Sequence, residues 1–573
     1  MISKLKSSPK ITFLLIICIF LLAFFIRFIY LDQIKDNPFF TPYEGGLDDY
    51  LYDTWAREIA FTDFVGKEVF WGLPLYPYFL GLVYFLFGRD LYIARLIQFA
   101  IGALNCVLLY FIGKKVFNKS TGIIASIMLA LYSPAIFYEG FLSGSFLSIF
   151  LNSIAIILIL QTAQKSNWKK WFSIGLLIGI SGLSGASIFL FLPFLIYWLF
   201  KTFKKFNYRK RLSHATSLLV GVLIIIGVVT LRNYVVGKDF VPTTWHNGIT
   251  FYAGNNPASN GTFILPSSVG ISVATAKVNS RLQAEKALNK RLKPSEVSNF
   301  WFRQGLTFIK NEPARYTRLL IDKFLIFWNA YEISDVLNIG LFIKKFSPFL
   351  QARFFMTFAV IFPLFILGVI LSFKLRHQAG ILLLYLLISS HTLSVMLYFV
   401  NGRYRLPIVP FLMIFSAYSV VWIFSKIKNR DFVKVALILP ILVAAILFEN
   451  MHLIYTGPEA FYNNLGVVYK RKGMYKKAEK EYREAIRLKP DYVTPHFNLG
   501  ILYWETGELQ KATEEFKKAV RLNPEFYKAR NKLAKVYMAS GQNDRAVYHL
   551  EKSLQANPNQ PDIRDLLKGI NNN

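Results

Sequence analysis

Long apolar segments separated by basic clusters constrain the fold of this chain more than any other feature. Nine of them are long enough to cross the roughly 30 Å hydrocarbon core of a bilayer. The composition agrees, because 54% of the 573 residues are hydrophobic, which is too many for an ordinary soluble protein. We therefore predict a polytopic, all-α transmembrane bundle. The nine segments are residues 11–30, 91–112, 121–138, 141–160, 215–231, 354–373, 379–400, 407–425 and 432–449.

A further apolar run, residues 172–200, has basic clusters on both sides and a Gly/Ser-rich break at 181–187. Basic loops favour the cytoplasmic face, so both ends are expected there, and we interpret the run as a hairpin of two short helices. The total is then about eleven spans. The shorter run 75–88 is predicted not to cross, since one added crossing would place basic clusters on both faces.

The net charge of +32, from 66 Lys and Arg against 34 Asp and Glu, follows from these basic loops. No run resembles a nucleic-acid-binding module. Cys18 and Cys106 lie inside apolar segments and predict neither a disulfide nor a metal site. The first segment is interpreted as an uncleaved helix. Four regions then share the extracytoplasmic face with the C-terminal tail, namely residues 31–90, the turn at Glu139, residues 232–353 and residues 401–406.

The C-terminal tail repeats with a period of 34 residues, in units 458–491, 492–525 and 526–559. Small residues recur at fixed positions, as at Ala478, Ala512 and Ala546, and a proline ends each unit. This pattern resembles the tetratricopeptide repeat and predicts an α-solenoid over 458–573, with residues 560–570 as a capping helix. Such arrays bind peptides or act as spacers.

The first loop contains two adjacent carboxylates, which are candidate catalytic residues. Asp48 and Asp49 follow the first span, and carboxylates beside a membrane are costly to desolvate without a partner or a task. The structural alternative is that they cap the helix starting near Tyr50. Asp53, one turn further, is expected to pair with Arg57.

Arginines provide the matching cations. Arg403 and Arg405 stand directly before a span, where snorkelling to headgroups is the alternative to bidentate phosphate binding. The alternating pattern Arg403-Tyr404-Arg405 is expected to point the two arginine side chains in different directions if the loop is extended, so only one of them would reach a phosphate. Arg232 closes a span, so it is a third candidate or a membrane anchor. Glu139 lies at the end of a span. It is either an acid of the site or an ordinary interfacial carboxylate.

Asn255 and Asn256, between Gly254 and Pro257, form a strong turn signal and are alternatively a substrate contact. His246 has no Cys, His or acid partners at ligand spacing, so we predict no metal site there.

Four motifs, taken in order, resemble those of a known family. They are the Asp-rich loop with Trp55-Ala56, the run Pro74-Leu75-Tyr76-Pro77-Tyr78, the Gly-Asn-Asn-Pro loop at 254–257 and Arg-Tyr-Arg-Leu-Pro at 403–407. This family is the GT-C glycosyltransferases, in the bacterial branch of the protein mannosyltransferase and aminoarabinose transferase superfamily. The resemblance implies a GT-C transmembrane domain over 1–450, with loops 31–90 and 232–353 on the catalytic face, in a bacterial inner membrane.

The resemblance also implies transfer of a hexose-type sugar, usually with inversion and without a nucleotide-sugar, from a polyprenyl-phosphate donor to a protein, glycan or lipid acceptor. We expect no further cofactor, and a divalent metal stays open as the alternative. The repeats would present or recruit the acceptor. The chain departs from the family at Ser184-Gly185-Ala186 and Ser143-Gly144, where relatives commonly carry cations. The alternatives are a lipid-linked sugar flippase, expected to hold ionisable residues at mid-membrane, or an inactive relative acting as a scaffold. In the implied site, Asp48 or Asp49 is the base, and Glu139 supports it. The residues expected to bind the donor phosphate are Arg403, Arg405 and Arg232. The residues expected to contact the substrate are Tyr50, His246, Asn255 and Asn256.

Overall fold

The computed structural model describes residues 9–43, 48–163, 165–266, 269–270, 273–333, 337–451, 457–558 and 560–571. Within these ranges the regular structure is helical, apart from one isolated bridge between Tyr132 and Met356. Helices satisfy their own backbone hydrogen bonds, which is what a hydrocarbon environment requires. The all-α prediction is confirmed. Gly45, Gly46 and Leu47 of the first loop lie outside the described residues.

The membrane part is built from helices α1 to α21. The first ten are α1 (Pro9–Ile34), α2 (Asp48–Phe61), α3 (Leu75–Phe87), α4 (Leu91–Val116), α5 (Lys119–Ala130), α6 (Ser133–Glu139), α7 (Ser145–Thr162), α8 (Trp168–Gly182), α9 (Phe191–Thr202) and α10 (Tyr208–Gly237). The others are α11 (Asn247–Gly254), α12 (Val273–Leu288), α13 (Pro294–Asn311), α14 (Pro313–Phe327), α15 (Ile339–Phe346), α16 (Phe358–Ser372), α17 (Ala379–Leu397), α18 (Gly402–Arg405), α19 (Val409–Lys428), α20 (Phe432–Ala436) and α21 (Leu439–Glu449).

Eight helical segments among the described residues are long and apolar enough to cross a membrane. They coincide with eight of the nine predicted segments and comprise α1, α4, α7, α10, α16 with its extension to Leu375, α17, α19 and α20 with α21. The ninth, residues 121–138, is not one continuous helix. Pro134 starts a separate short helix, α6, after a turn at residues 131–132, because proline lacks the N–H that a continuing helix needs. The total of about eleven spans stays a prediction.

The predicted hairpin at 172–200 has its helix break at the Gly/Ser-rich stretch. Helix α8 ends at Gly182, and a 3-10 turn over Ala186–Leu190 leads into α9. Helix α8 packs closely on α10 through two glycines. A Cβ on Gly175 would lie 2.1 Å from the Leu218 carbonyl oxygen, and one on Gly221 would lie 2.4 Å from that of Phe172. Only glycine at these positions permits so close an approach.

The first loop folds as the antiparallel pair α2 and α3. Asp53 ties them to the start of α4, since it accepts hydrogen bonds from Arg89 at 2.9 and 3.0 Å and from the Tyr84 hydroxyl at 2.7 Å. The predicted pairing with Arg57 is present at 3.5 Å. Asp53 therefore holds the loop together, and Arg89 is its closer cation.

Aromatic side chains join the first loop to the second. The Trp71 and Trp245 rings lie 4.3 Å apart, and the Trp245 amide donates to the Phe70 carbonyl at 3.1 Å. Trp301, from α13, packs in the same buried cluster. This shared core fixes the residues before α11 against the residues before α3.

The C-terminal repeats form helix pairs over 459–556, followed by one further helix. A side chain at the same place in successive units bonds the carbonyl of the preceding proline, with His496 on Pro490, Arg530 on Pro524 and Arg564 on Pro558. The last helix thus occupies the position of the first helix of a fourth unit, where a cap was predicted. The helices are α22 (Glu459–Arg471), α23 (Tyr475–Leu488), α24 (Val493–Glu505), α25 (Leu509–Leu522), α26 (Tyr527–Ala539), α27 (Asn543–Ala556) and α28 (Pro561–Asn571).

Candidate active site

An ion pair joins the first loop to the loop before α19. Arg403 Nη2 donates to Asp48 Oδ2 at 2.9 Å, although the residues are 355 positions apart. The side chains remain 17% and 26% exposed, respectively, so a ligand can reach both. Asp48 is the first residue of α2, where the helix dipole favours a carboxylate. The structure therefore brings together the predicted base and one predicted phosphate-binding cation.

The backbone around Arg403 is fixed by its neighbours. The Asn401 side chain accepts a hydrogen bond from the Arg403 amide at 2.9 Å, and the Gly402 amide donates to the Ile333 carbonyl at 2.8 Å. A Cβ on Gly402 would lie 2.8 Å from Glu332 Oε2 and 3.0 Å from the Tyr138 hydroxyl. The loop thus has one tight path past Glu332, and that path leaves Arg403 beside Asp48.

Arg405 is turned into the protein. Its guanidinium donates to the carbonyls of Phe327 and Asn329 at 3.1 and 2.7 Å and pairs with Glu332 at 2.7 Å. It also stacks on the Phe358 ring at 3.6 Å, and the residue is 3% exposed. The two arginines therefore differ in environment, and Arg403 is the accessible one.

Asp49 is buried behind Asp48, at 5% exposure. Its Oδ1 accepts a hydrogen bond from the Tyr50 amide at 2.9 Å, and Arg95 of α4 is the cation that acts on it. Burial raises the pKa of Asp49 to about 6, and Arg95 opposes that rise. Tyr50 lies half-buried on the same turn of α2. Burial thus separates two carboxylates that are adjacent in sequence.

Glu139, predicted to support the base, lies in a buried ion pair. Arg27 of α1 donates to it through Nε at 2.6 Å and Nη2 at 3.2 Å, and the two side chains are 4% and 0% exposed. Its carboxylate is also packed against Gly102 of α4. The contacts of Glu139 join α1, α4 and α6.

The predicted substrate contacts Asn255 and Asn256 are buried and hold their loop together. Asn255 donates to the carbonyls of Phe251 and Leu397, both at 2.9 Å, and accepts from Lys323 at 2.9 Å. Asn256 donates to the Ile264 carbonyl at 3.0 Å and accepts from the Ala258 amide at 2.8 Å. The turn interpretation accounts for these polar atoms.

The other two predicted site residues differ from each other. Arg232 binds the carbonyls of Val65 and Glu68 and stacks on the Phe70 ring at 3.8 Å, so its contacts fix the first loop. His246 bonds Thr244 at 2.6 Å, and Asp48 is the carboxylate that interacts with it. Burial lowers the pKa of His246 to about 4, so the imidazole is neutral at physiological pH. His246 therefore interacts with Asp48, whereas the contacts of Arg232 are with residues 65–70 of the first loop.

Three charged residues near the site were not predicted. Arg95 is a lone cation at the start of a long apolar segment, and that position alone is a signal, because intramembrane charges rarely lack a purpose. Glu332 and Lys323 stand among ordinary loop charges, and no sequence pattern separates them. Lys323 is fully buried and its ammonium bonds Asn255; burial lowers the pKa of Lys323 to about 7.

Comparison with known families agrees with the membrane part and the tail. Residues 73–230 match the family described as dolichyl-phosphate-mannose-protein mannosyltransferase. Residues 466–507 match a TPR repeat family, and residues 507–570 match a tetratricopeptide repeat family. Over residues 73–230 the chain is thus similar to a mannosyltransferase family, and over residues 466–570 it matches tetratricopeptide repeats. The predicted resemblance and the predicted repeats are confirmed.

Solved structures that the search matches to this chain include the Archaeoglobus fulgidus oligosaccharyltransferase tethered with an acceptor peptide, at 14% identity and a TM-score of 0.38. That match covers 82% of this chain and 58% of the other. The same archaeal enzyme with an inhibitory peptide and a dolichol-phosphate gives 14% identity, 83% and 60% coverage and a TM-score of 0.38. The first TPR of Spaghetti bound to an HSP90 peptide gives 21% identity, 20% and 90% coverage and a TM-score of 0.19. No curated protein matches the chain significantly.

Among the residues that the structure describes, no group of three or more His, Cys, Asp or Glu side chains is arranged to hold a metal ion. Among the described residues, the groups that interact with the Asp48 carboxylate include the Arg403 guanidinium and the neutral His246 imidazole. Such a set can accept a proton and stabilise an anion.

Proposed function

We propose that this protein is a membrane glycosyltransferase that moves a hexose-type sugar, with inversion, from a polyprenyl-phosphate donor to a protein, glycan or lipid acceptor on the extracytoplasmic face. The observation that carries the proposal is the 2.9 Å contact between Asp48 and Arg403. Inverting transfer needs a proton acceptor for the incoming hydroxyl and a cation for the departing phosphate, both close to one anomeric carbon. Asp48 and Arg403 supply them.

The proposed step is a single displacement. The acceptor oxygen forms a bond to the anomeric carbon, the bond to the phosphate oxygen breaks, and its electron pair leaves with the lipid phosphate. The acceptor proton passes to Asp48, and Arg403 stabilises the phosphate through paired N–H donors. No divalent metal is needed, because the guanidinium supplies the positive charge.

The ion pair between Asp48 and Arg403 implies that the donor binds before the proton is transferred. The donor phosphate competes with Asp48 for Arg403, so binding of the donor frees the carboxylate to accept a proton. His246, which Asp48 faces, and Tyr50 on the same helix are placed to contact the sugar or the acceptor. We also propose that the repeats recruit or present the acceptor, and that the setting is a bacterial inner membrane.

The test is sugar transfer in proteoliposomes with synthetic polyprenyl-phosphate hexoses. Asp48→Asn should lower the rate by about 10²–10⁴-fold, the usual contribution of a positioned proton acceptor. Glu58→Gln, an exposed acid on the same helix, is the matched control and should keep the wild-type rate. Full transfer by Asp48→Asn would overturn the assignment of the base.

A further inference from the structure

Helix α3 is apolar all round, yet one of its faces is exposed. Its 13 residues, Leu75–Phe87, include no charged and no amide side chain. A helix of this composition is normally buried on every side. Leu82, Phe85 and Leu86 are nevertheless 56%, 70% and 62% exposed, and their spacing places them on one face of the helix. The described residues leave this face uncovered, and a contiguous exposed apolar face marks a contact with a partner or a membrane.

The opposite face of α3 packs on the ends of neighbouring helices. Leu80 lies in one buried cluster with Ala94 and Phe146, from the first turns of α4 and α7. The Leu75 amide donates to the carbonyl of Leu183, directly after α8, at 3.1 Å. Since α3 rests on helix ends, this helix of about 20 Å lies along the surface of the bundle rather than across the bilayer.

Contacts with α10 set the depth of α3. Leu75 and Tyr78 pack in one buried cluster with Val229, eight residues before α10 ends. Eight residues of helix correspond to about 12 Å. Nearer to that end, Leu231 and Val235 are 64% and 58% exposed, so this span still presents apolar side chains to lipid beyond the level of Val229. The start of α3 therefore lies at a depth where lipid chains surround the protein.

Helix α3 also holds α2, which begins with Asp48. Arg89 follows α3 and donates to Asp53 of α2 at 2.9 and 3.0 Å. The two helices are in close contact, because a Cβ on Gly81 would lie 2.8 Å from Cγ2 of Ile59. The depth of α3 therefore determines the height of Asp48 relative to the bilayer.

We propose that α3 is an interfacial membrane helix, whose exposed face (Leu82, Phe85 and Leu86) lies among the acyl chains of the leaflet on the Asp48 side. Lipid is the occupant that the location favours, because α3 begins beside the lipid-facing surface of α10. Burial of these side chains in the leaflet is the driving force. This anchor holds Asp48 at the level of the donor phosphate, a second part that rests on the proposed function.

The first test locates the exposed face without using activity. Phe85→Cys, in a Cys18→Ser background because Cys106 is buried, is labelled with bimane and placed in nanodiscs. Lipids with brominated acyl chains should quench this label, and iodide in the water should not. A label on Glu58→Cys, at an exposed position of α2, should show the reverse. Quenching of the Phe85→Cys label by iodide alone would overturn the proposal.

A second copy of this chain is the competing cover for an apolar face. It would shield the Phe85→Cys label from both quenchers, and mass photometry would then find two copies in each nanodisc. That outcome would also overturn the proposal.

The second test uses sugar transfer and follows from the depth of Asp48. Phe85→Gln with Leu86→Gln should raise KM for a long-chain polyprenyl-phosphate hexose in proteoliposomes by about tenfold, since burial of a large apolar side chain contributes at least about that factor. The kcat/KM for a water-soluble, short-chain prenyl-phosphate hexose should stay at the wild-type value. Phe85→Leu with Leu86→Met, which keeps the face apolar, should keep the wild-type KM.

An equal loss with both donors would show that the glutamines only disturb the fold, and the anchoring role would be wrong. If the wild type transfers no sugar although brominated lipids quench the Phe85→Cys label, the membrane contact stands and the proposed function alone is refuted.

Discussion

Arg403 and Arg405 are two positions apart, yet one contacts Asp48 at 2.9 Å while the other contacts Glu332 at 2.7 Å. Both residues lie on the short helix α18, where two positions correspond to roughly half a turn, so the two guanidinium groups reach different surroundings. The first remains reachable by a ligand, and the second is closed in by backbone carbonyls and a phenyl ring. Substitution of the first arginine should therefore affect catalysis, and substitution of the second should affect stability.

Arg403→Gln should lower kcat/KM for the polyprenyl-phosphate donor by about 10²–10³-fold, the cost of removing one donor to developing negative charge. Its Tm should stay close to that of the wild type, because the side chain is partly exposed. Arg405→Gln should instead lower Tm, because it leaves Glu332 without its cation. Transfer kinetics and thermal unfolding of both variants check this, and the reverse assignment of the two defects would contradict it.

Glu139→Gln should destabilise the protein by about 3–5 kcal/mol, since it leaves the buried Arg27 cation uncompensated. Changing both partners together, Arg27→Met with Glu139→Leu, should recover most of that loss. Denaturation in detergent measures both effects. A Glu139→Gln variant with wild-type stability and no transfer would show that Glu139 acts on substrate.

Because Lys323 is buried, we predict that the free energy of unfolding rises with pH. Because burial lowers its pKa to about 7, the unfolded chain binds a proton that the folded chain lacks between about pH 7 and pH 10. The free energy of unfolding should increase by about 2–3 kcal/mol between pH 7 and pH 9. Lys323→Met should flatten this rise, whereas Lys310→Met, an exposed control on α13, should not. An unchanged slope in Lys323→Met would contradict the origin of the effect.

Divalent metal should not be required for transfer. In the proposed reaction Arg403 supplies the positive charge opposite the phosphate, and the described residues offer no metal-ligand cluster. Activity in proteoliposomes should therefore survive an excess of EDTA. Loss of activity that Mg²⁺ or Mn²⁺ restores would refute this expectation.

The basic clusters predict that the repeats lie outside the cytoplasm. Alkaline phosphatase, which folds only in an oxidising compartment, should be active when it is fused after the repeats, and inactive when it is fused in the basic loop 201–211. The opposite pattern would reverse the proposed face of every site residue.

Much of the fold follows from simple patterns. Apolar runs of sufficient length predict most of the long helices, and the 34-residue period predicts the repeats. The run 121–138 misleads because its hydropathy is continuous, while Pro134 divides it by removing one backbone donor. Hydropathy measures transfer to lipid and is insensitive to a single missing hydrogen bond.

The site is less predictable, for a physical reason. The order of motifs selects Asp48 or Asp49, and Arg403 or Arg405, as candidates, but the difference between the two arginines depends on carbonyls at Phe327 and Asn329, which only the tertiary fold supplies. Likewise, Asp48 and Asp49 are equivalent in sequence and differ through burial, which leaves Asp49 5% exposed and the Asp48 side chain 26% exposed. Sequence spacing identifies the chemical groups, and packing decides which of them stay open.

The distance in sequence between Asp48 and Arg403 has a consequence for biosynthesis. At about 5–20 residues per second, the ribosome needs roughly 20–70 s to add the 355 residues between them. During that time the nascent chain carries Asp48 but lacks the arginine that pairs with it. A translation product that stops short of α18 would hold lipid-facing helices in the membrane without this ion pair, so under the proposed function it would be unable to transfer sugar.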